Sequence, residues 1–364
     1  PRIYAEAESV SAYGGEELDP PRYGEVFISV KPYNGVYLSS AIKENIKREL
    51  KKYSCAGIIT EILDLKYLFV ETDSTVYYDT SKAASPDGVK NQIISNIVNY
   101  SESSQLNKFG ARFKYSKFLG IIDNSQASIT SNITHVHMRR DMEPRLNTYT
   151  EYEICYGNRI HVKSEDGYNI KSSGFFVNGI SDCVYLGDLP GTDLLTGTIF
   201  LFKLNSPTQP VIVKRAIGTI DYKKGEIKLN PLNITSSKIN LGATGFTTPL
   251  IEISMCPYSN DVIGLQDLYL QLDASNTTVT MVPDEITSGT NTSGSSYKVT
   301  SSYANGGLVR GTPHLTSATF ANGNGDSNGT TTTTTARAST SVSTRTTSTP
   351  STPSTPSTGG GSGY

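Results

Sequence analysis

At 364 residues the chain is long enough for two or three domains, and its 36% hydrophobic content is low for one globular core, so part of it is expected to have none. The formal net charge of -2 supplies no overall field for nucleic acid or an anionic membrane. Tryptophan is absent and tyrosine numbers 22, a residue that covers a half-wet interface while its hydroxyl stays solvated.

The chain begins at Pro1 in a polar stretch without methionine, which reads as the later part of a longer polypeptide. There is no leader pattern, and no apolar run approaches the roughly 20 residues that a membrane helix needs. In "AYGGEELDPPRYGEVFISVKP", Gly14 and Gly15 are followed by Glu16 and Glu17. A phosphate loop would end in Lys-Ser/Thr and open a helix, so carboxylates at that place exclude one. Pro20 and Pro21 then lead into an alternating strand, Val26, Ile28 and Val30, stopped at Pro32.

Ile42, Ile46, Leu50 and Tyr53 recur at helical spacing, with Ser39 or Ser40 as cap and Glu44 four residues before Arg48. Strands are predicted at 58–63 and 67–78. Ser85-Pro86-Asp87 opens a second helix with the stripe Val89, Ile93, Ile97 and Tyr100. A shorter helix at 111–122 and a long strand at 129–140 follow. This order predicts a split βαβ-like sandwich with helices on one sheet face and the other face open to a partner. From 148 the periodicity changes to short alternating runs, including the hairpin signal "GTIDYKKGEIKL", with one helical turn at 261–270. Beyond 287 Ser, Thr, Gly and Asn dominate, and a segment of that composition cannot form a core.

The expected class is therefore α+β: a split βαβ-like sandwich, then a β-rich domain and a low-complexity Ser/Thr-rich tail. The expected divisions are an entry arm and Gly/Pro loop at 1–25, an α+β domain at 26–147, a β-rich domain at 148–286 and a Ser/Thr/Gly-rich extension at 287–364.

Candidate chemistry is sparse. Cys55, Cys155, Cys183 and Cys256 form no C-x-x-C pair and read as reduced and buried. His135 and His137 share one strand face and could meet one metal, but Arg139 and Arg140 beside them oppose a dication. His161 and His314 stand apart. Glu16, Glu17 and Asp19 read as a solvated loop, and Asp182, Asp188 and Asp193 lack calcium-loop spacing in what reads as a glycine-containing loop. The basic run 47–52 is the wet face of a helix, and Met138, Met142 and Met255 read as core fillers. No Cys-His nucleophile arrangement and no G-x-S-x-G elbow is visible. The reading is no catalytic residue, no cofactor and no metal: an assembly component rather than an enzyme.

The segment "YGGEELDPPRYGEVFISVKP" resembles the baseplate-J-like wedge proteins of T-even-type contractile-tailed phages, through Gly14, Gly15, Leu18, Pro20, Pro21, Tyr23, Gly24, Val26, Phe27, Ile28, Ser29, Lys31 and Pro32. "SITSNITHVHMRR", "TYTEYEICYGNRI" and "GTIDYKKGEI" look like the family's later strands, so that the likeness runs to about Val282. The tail departs from the family. The resemblance implies a virion protein of the tail baseplate, assembled in the host bacterial cytoplasm. It implies a subunit that pairs with a second copy and links wedge and hub proteins into a ring, with no nucleic acid or membrane partner. The alternative is a glycan-binding or adhesive tail module, and a hydrolase ranks last for want of a nucleophile.

Overall fold

The computed structural model describes residues 4 and 7–284, apart from 19, 34–37, 56, 84, 163–167, 207–208 and 242–247, together with 303–304 and 307–308. Asp19, His314 and nearly all of the Ser/Thr-rich extension lie outside the described residues.

A small unit comes first. β1 (Ala7–Gly14) runs antiparallel to β2 (Glu25–Pro32), and β2 runs parallel to β3 (Ile59–Leu63) through the crossover helix α1 (Ser40–Lys51). Ser39 caps α1, its hydroxyl accepting from the Ile42 N–H at 3.4 Å. Ile42, Ile46 and Leu50 pack on Val30 and Ile62. Tyr53 lies beyond the helix and is 78% exposed, so it does not belong to that stripe. Glu44 pairs with Lys47 at 3.9 Å, while Arg48 donates to Asn45, in place of the expected Glu44–Arg48 pair. The 1–25 arm is more structured than expected because β1 supplies a strand whose weak alternation, "AESVSAYG", is completed only by pairing. Gly15 opens the 3-10 turn between β1 and β2. A Cβ there would meet the Arg22 carbonyl oxygen at 2.0 Å, so the return of the chain onto β2 requires glycine.

The central sheet follows, assembled from distant segments. Its elements in chain order are β4 (Lys66–Tyr78), α2 (Pro86–Ser101), β5 (Arg112–Phe113), α3 (Tyr115–Asp123) and β6 (Ile129–Met142). After them come β7 (Tyr149–Cys155), β8 (Lys171–Ser172), β9 (Phe175–Val177), β10 (Ile180–Pro190), β11 (Thr196–Ser206), β12 (Gln209–Asp221) and β13 (Glu226–Ser237). The last are β14 (Ile239–Leu241), β15 (Thr248–Met255), β16 (Val262–Ile263), β17 (Leu268–Leu272), β18 (Thr278–Pro283), β19 (Tyr303–Ala304) and β20 (Gly307–Leu308). β4 and β6 pair antiparallel, β15 flanks β6, and β17 and β18 add in parallel along β4. β8 and β14 pair with β15. α2 and α3 cover one face, where Val89, Ile93, Ile97, Phe118 and Ile122 meet Leu68, Val70, Val136 and Met138. Pro86 stands in the first turn of α2, as its sequence predicts.

β7 and β9–β13 form a second sheet. β13 pairs with both β9 and β12, so five of the strands close on themselves as a small barrel, with β7 added on β13. Ile154, Val184, Leu186, Ile199, Leu201, Ile220, Ile227 and Ile234 belong to one buried cluster continuous with that of the central sheet. The Tyr156 hydroxyl donates to the Ile253 carbonyl at 2.8 Å, tying barrel to sheet.

The class is mixed and mostly β, with three helices among the described residues. The single split βαβ sheet expected from the element order is instead two sheets. β2 and β3 stay with β1, whereas β4 and β6 take β15, β17 and β18, all from beyond residue 148. The predicted helix at 111–122 begins only at Tyr115, because Arg112–Phe113 pairs with β16. The predicted helical turn at 261–270 is the pair of strands β16 and β17, whose partners lie far away in sequence.

A buried charge cluster and candidate assembly surfaces

The face of the central sheet opposite the helices carries charge. Period-two alternation puts Phe69, Glu71 and Asp73 of β4 on it, beside His135, His137, Arg139 and Asp141 of β6. From β15 comes Glu252, with Cys256 just past its end, and Asp273 follows β17. Glu71, His137, Arg139 and Glu252 are nonetheless buried.

Arg139 is the hub. Its guanidinium donates to Glu71, to Asp141 at 2.8 Å and to Asp273 at 3.1 Å, lies 3.8 Å from Glu252, and sits over the Phe69 ring at 4.4 Å. Burial would lower its pKa, but the four carboxylates raise it, so the charge is permanent. Burial likewise pushes the Asp273 carboxyl up, yet donors from Ser275 and Asn276 and the Arg139 charge hold it below the usual range. Such a hub fixes the lateral order of four strands, since removing one member leaves uncompensated charge in a dry place.

His137 sits one step along β6. Its Nε2 lies 3.0 Å from Asp73 Oδ2 and its Nδ1 3.6 Å from Cys256 Sγ. The sequence reading found no Cys-His arrangement. The two residues are brought together by the pairing of β15 on β6, which spacing does not reveal. Burial acts to lower the imidazole pKa, but the hydrogen bonds to Asp73 and Cys256 and their charges raise it to about 9. The ring is therefore held as an imidazolium, and the trio ties β4, β6 and the end of β15 together. His135, on the same face, is exposed, and His137 is turned to Asp73 and Cys256. Among the described residues no group of three or more His, Cys, Asp and Glu is placed to hold a metal ion.

The other candidates separate. Glu16 and Glu17 lie exposed in the 3-10 turn. Asp182 and Asp188 belong to β10, not to a loop. Asp182 pairs with Lys203 at 2.8 Å, while Asp188 is buried and accepts from the Ile170 N–H and the Tyr222 hydroxyl, each at 2.7 Å. Burial pushes the Asp188 carboxyl up. Asp193 accepts from the Leu195 and Thr196 N–H groups at 3.1 Å and shapes a turn. Met138, Met142 and Met255 are buried as expected. All four cysteines are free, but Cys55 is exposed and the other three only half-buried, so the expectation of buried thiols fails. His161 is exposed.

The surface offers apolar ground at one end of the small unit. Tyr23 (81% exposed), Ile58 (43%) and Ile59 (61%) are exposed there, and Tyr53 (78%) is exposed just past α1. The Ile59 N–H donates to the Gly24 carbonyl at 2.9 Å, which brings Tyr23 beside Ile58 and Ile59 where β2 and β3 begin. β3 is an edge strand among the described residues.

These features define a class: a β-rich module with a buried charge cluster inside its central sheet and exposed apolar surface on its small unit. Residues 1–63 match the family model "Baseplate structural protein gp6, C-terminal domain I", and residues 66–141 match C-terminal domain III of the same protein. The junction of the two matches falls between β3 and β4, where the small unit ends and the central sheet starts. A curated relative, the baseplate wedge protein gp6 of Enterobacteria phage T4, is 32% identical over 147 residues, 40% of this chain and 22% of that relative. Residues 1–141 are thus similar to the gp6-type baseplate wedge proteins, in line with the resemblance carried by Gly14–Pro32. The aligned part spans about a fifth of the relative's length. The two family matches end at residue 141, short of the Val282 limit read from the later strands.

Proposed function

We propose that the chain is a structural, non-catalytic virion protein of a contractile-tail baseplate, assembled in the host cytoplasm, that pairs with a second copy and links neighbouring wedges into a ring around the hub. The observation that carries this reading is the match of both early domains to gp6. The pairing surface assigned to it is the β3 end of the small unit, where Ile58 and Ile59 are exposed at an edge strand and Tyr23 is exposed beside them. A two-fold contact presents the same patch twice, and a stable one needs about 1,000 Å² or more. Such a contact stops at a dimer, so ring closure needs other contacts, with wedge or hub proteins. Neither nucleic acid nor membrane is a partner in this reading.

Light scattering over a wide concentration range tests it. The expected result is a dimer that Ile59→Lys converts to a monomer with an unchanged far-UV spectrum. A monomer persisting at high micromolar concentration, or a dimer indifferent to Ile59→Lys, overturns the pairing surface.

A further inference from the structure

β11 and β12 form a long hairpin that reaches beyond the barrel. β12 pairs with β13 only over Gly218–Asp221, opposite Glu226–Leu229. Over Gln209–Lys214 it has β11 on one side, through Lys203↔Val211, Phe202↔Ile212 and Leu201↔Lys214, and no strand on the other among the described residues, while Arg215–Ile217, with Ala216 at φ +53, break the register with β11. Its backbone groups on that side form an unfilled ladder.

The side chains along this edge are unusual. Val211, Ile212 and Val213 are 39%, 42% and 36% exposed, three apolar neighbours in a row where a solvated edge would alternate. Lys214 and Arg215 follow, both exposed, and neither pairs with a carboxylate among the described residues. Where β12 and β13 part, a cleft of roughly 270 Å³ opens, with Val213 and Lys214 on one wall, Tyr149, Asn178 and Pro231 across from them, and Leu201 also lining it. Edge, cleft and charge lie on one line.

We propose that this edge is a docking site for an extended segment of another protein, added as a strand beside β12, with an apolar side chain in the cleft and carboxylates against Lys214 and Arg215. Strand addition uses the ladder for affinity and the pocket for side-chain choice. The charge selects the occupant. A two-fold pair of these edges would be antiparallel and set Lys214 and Arg215 of one copy toward Gln209 and Pro210 of the other, with no carboxylate to meet them, whereas an acidic segment supplies one. The chain's own extension fits poorly: beyond residue 287 it carries Lys298, Arg310, Arg337 and Arg345 against Asp326 alone. The Val213 bulge and Pro210, which lacks an N–H, limit the added strand to a short stretch. This site does not depend on the baseplate reading.

The test is selection of a displayed library of random dodecapeptides on the full chain, followed by amide hydrogen exchange with the enriched synthetic peptides. Enriched peptides are expected to alternate apolar and polar residues and to carry Asp or Glu at one end. Their binding should slow exchange of the amides over 211–215 that do not bond to β11, and weaken at least about tenfold in the double variant Lys214→Glu, Arg215→Glu, whose sites are exposed and tolerant of change. Equal enrichment on the double variant, or protection confined to other strands, overturns the proposal. So does prior protection, in the free protein, of the β12 amides that do not bond to β11, or a dimer abolished by Ile212→Lys, because the edge is then already filled.

Discussion

The imidazole Nε2 of His137 on β6 lies 3.0 Å from Oδ2 of Asp73 on β4, inside the sheet face that the helices do not cover. The adjacent Arg139 collects Glu71, Asp141, Glu252 and Asp273. Together they join strands drawn from residues 66 to 273, so the stability of the central sheet is tied to the protonation of this row.

The His137 pKa is raised in the folded chain, to about 9, from the ordinary 6.5. The stabilisation is therefore fully present below about pH 6.5 and is lost as pH rises through 9. Urea unfolding at pH 6 and at pH 9.5 should show a loss on the order of 1–3 kcal/mol. His137→Gln should flatten that dependence. An equally steep decline in the variant would assign the effect to other groups.

Removing the hub should cost more than removing the imidazole. Arg139→Leu leaves four carboxylates facing one another without their cation, a loss of about 3–5 kcal/mol. Adding Glu71→Gln should recover part of it, and lowering the pH toward 5 should help the single variant relative to the native chain. Denaturant midpoints for the three proteins decide the matter. A double variant no more stable than Arg139→Leu would contradict repulsion as the cause.

Gly225 closes the β12–β13 hairpin at φ +76, and a Cβ would stand 2.1 Å from the Asn158 carbonyl oxygen. Gly225→Ala should therefore destabilise the barrel by about 2 kcal/mol or more, through backbone strain and the clash with a neighbouring chain segment. Thermal unfolding compared with Gly179→Ala, also at positive φ but with open space around it, separates the two causes. Equal losses would leave the clash without effect.

Tyr222 donates to the buried Asp188 from 2.7 Å. Tyr222→Phe removes that donor and leaves the carboxylate with backbone N–H donors, Ile170 among them, at an expected cost of about 1–3 kcal/mol. The cost should shrink in an Asp188→Asn background, where no charge needs the hydroxyl. A double-mutant cycle reads the coupling, and a coupling near zero would remove Asp188 from the account.

Local periodicity and capping were legible in the residues themselves. Ser85-Pro86-Asp87 and the stripe Val89, Ile93, Ile97 and Tyr100 specify α2 because every signal lies within five turns of chain. The hairpin at Gly225 and the strand ending at Pro32 were legible for the same reason. Gly14–Pro32 also carried the family resemblance, because its glycines and prolines report backbone conformations that few residues supply. Pairing over distance was not legible. β17 and β18 join β4 in parallel from some 200 residues away, and no turn sets their register. Alternation placed His135 and His137 on one strand face, but only the β4–β6 register sets Glu71 and Asp73 beside them, and alternation could not say whether that face is wet. A charged strand face has the same period in water as in a core, and only the assembled sheet, by bringing opposite charges within hydrogen-bonding reach, made burial of this one tolerable.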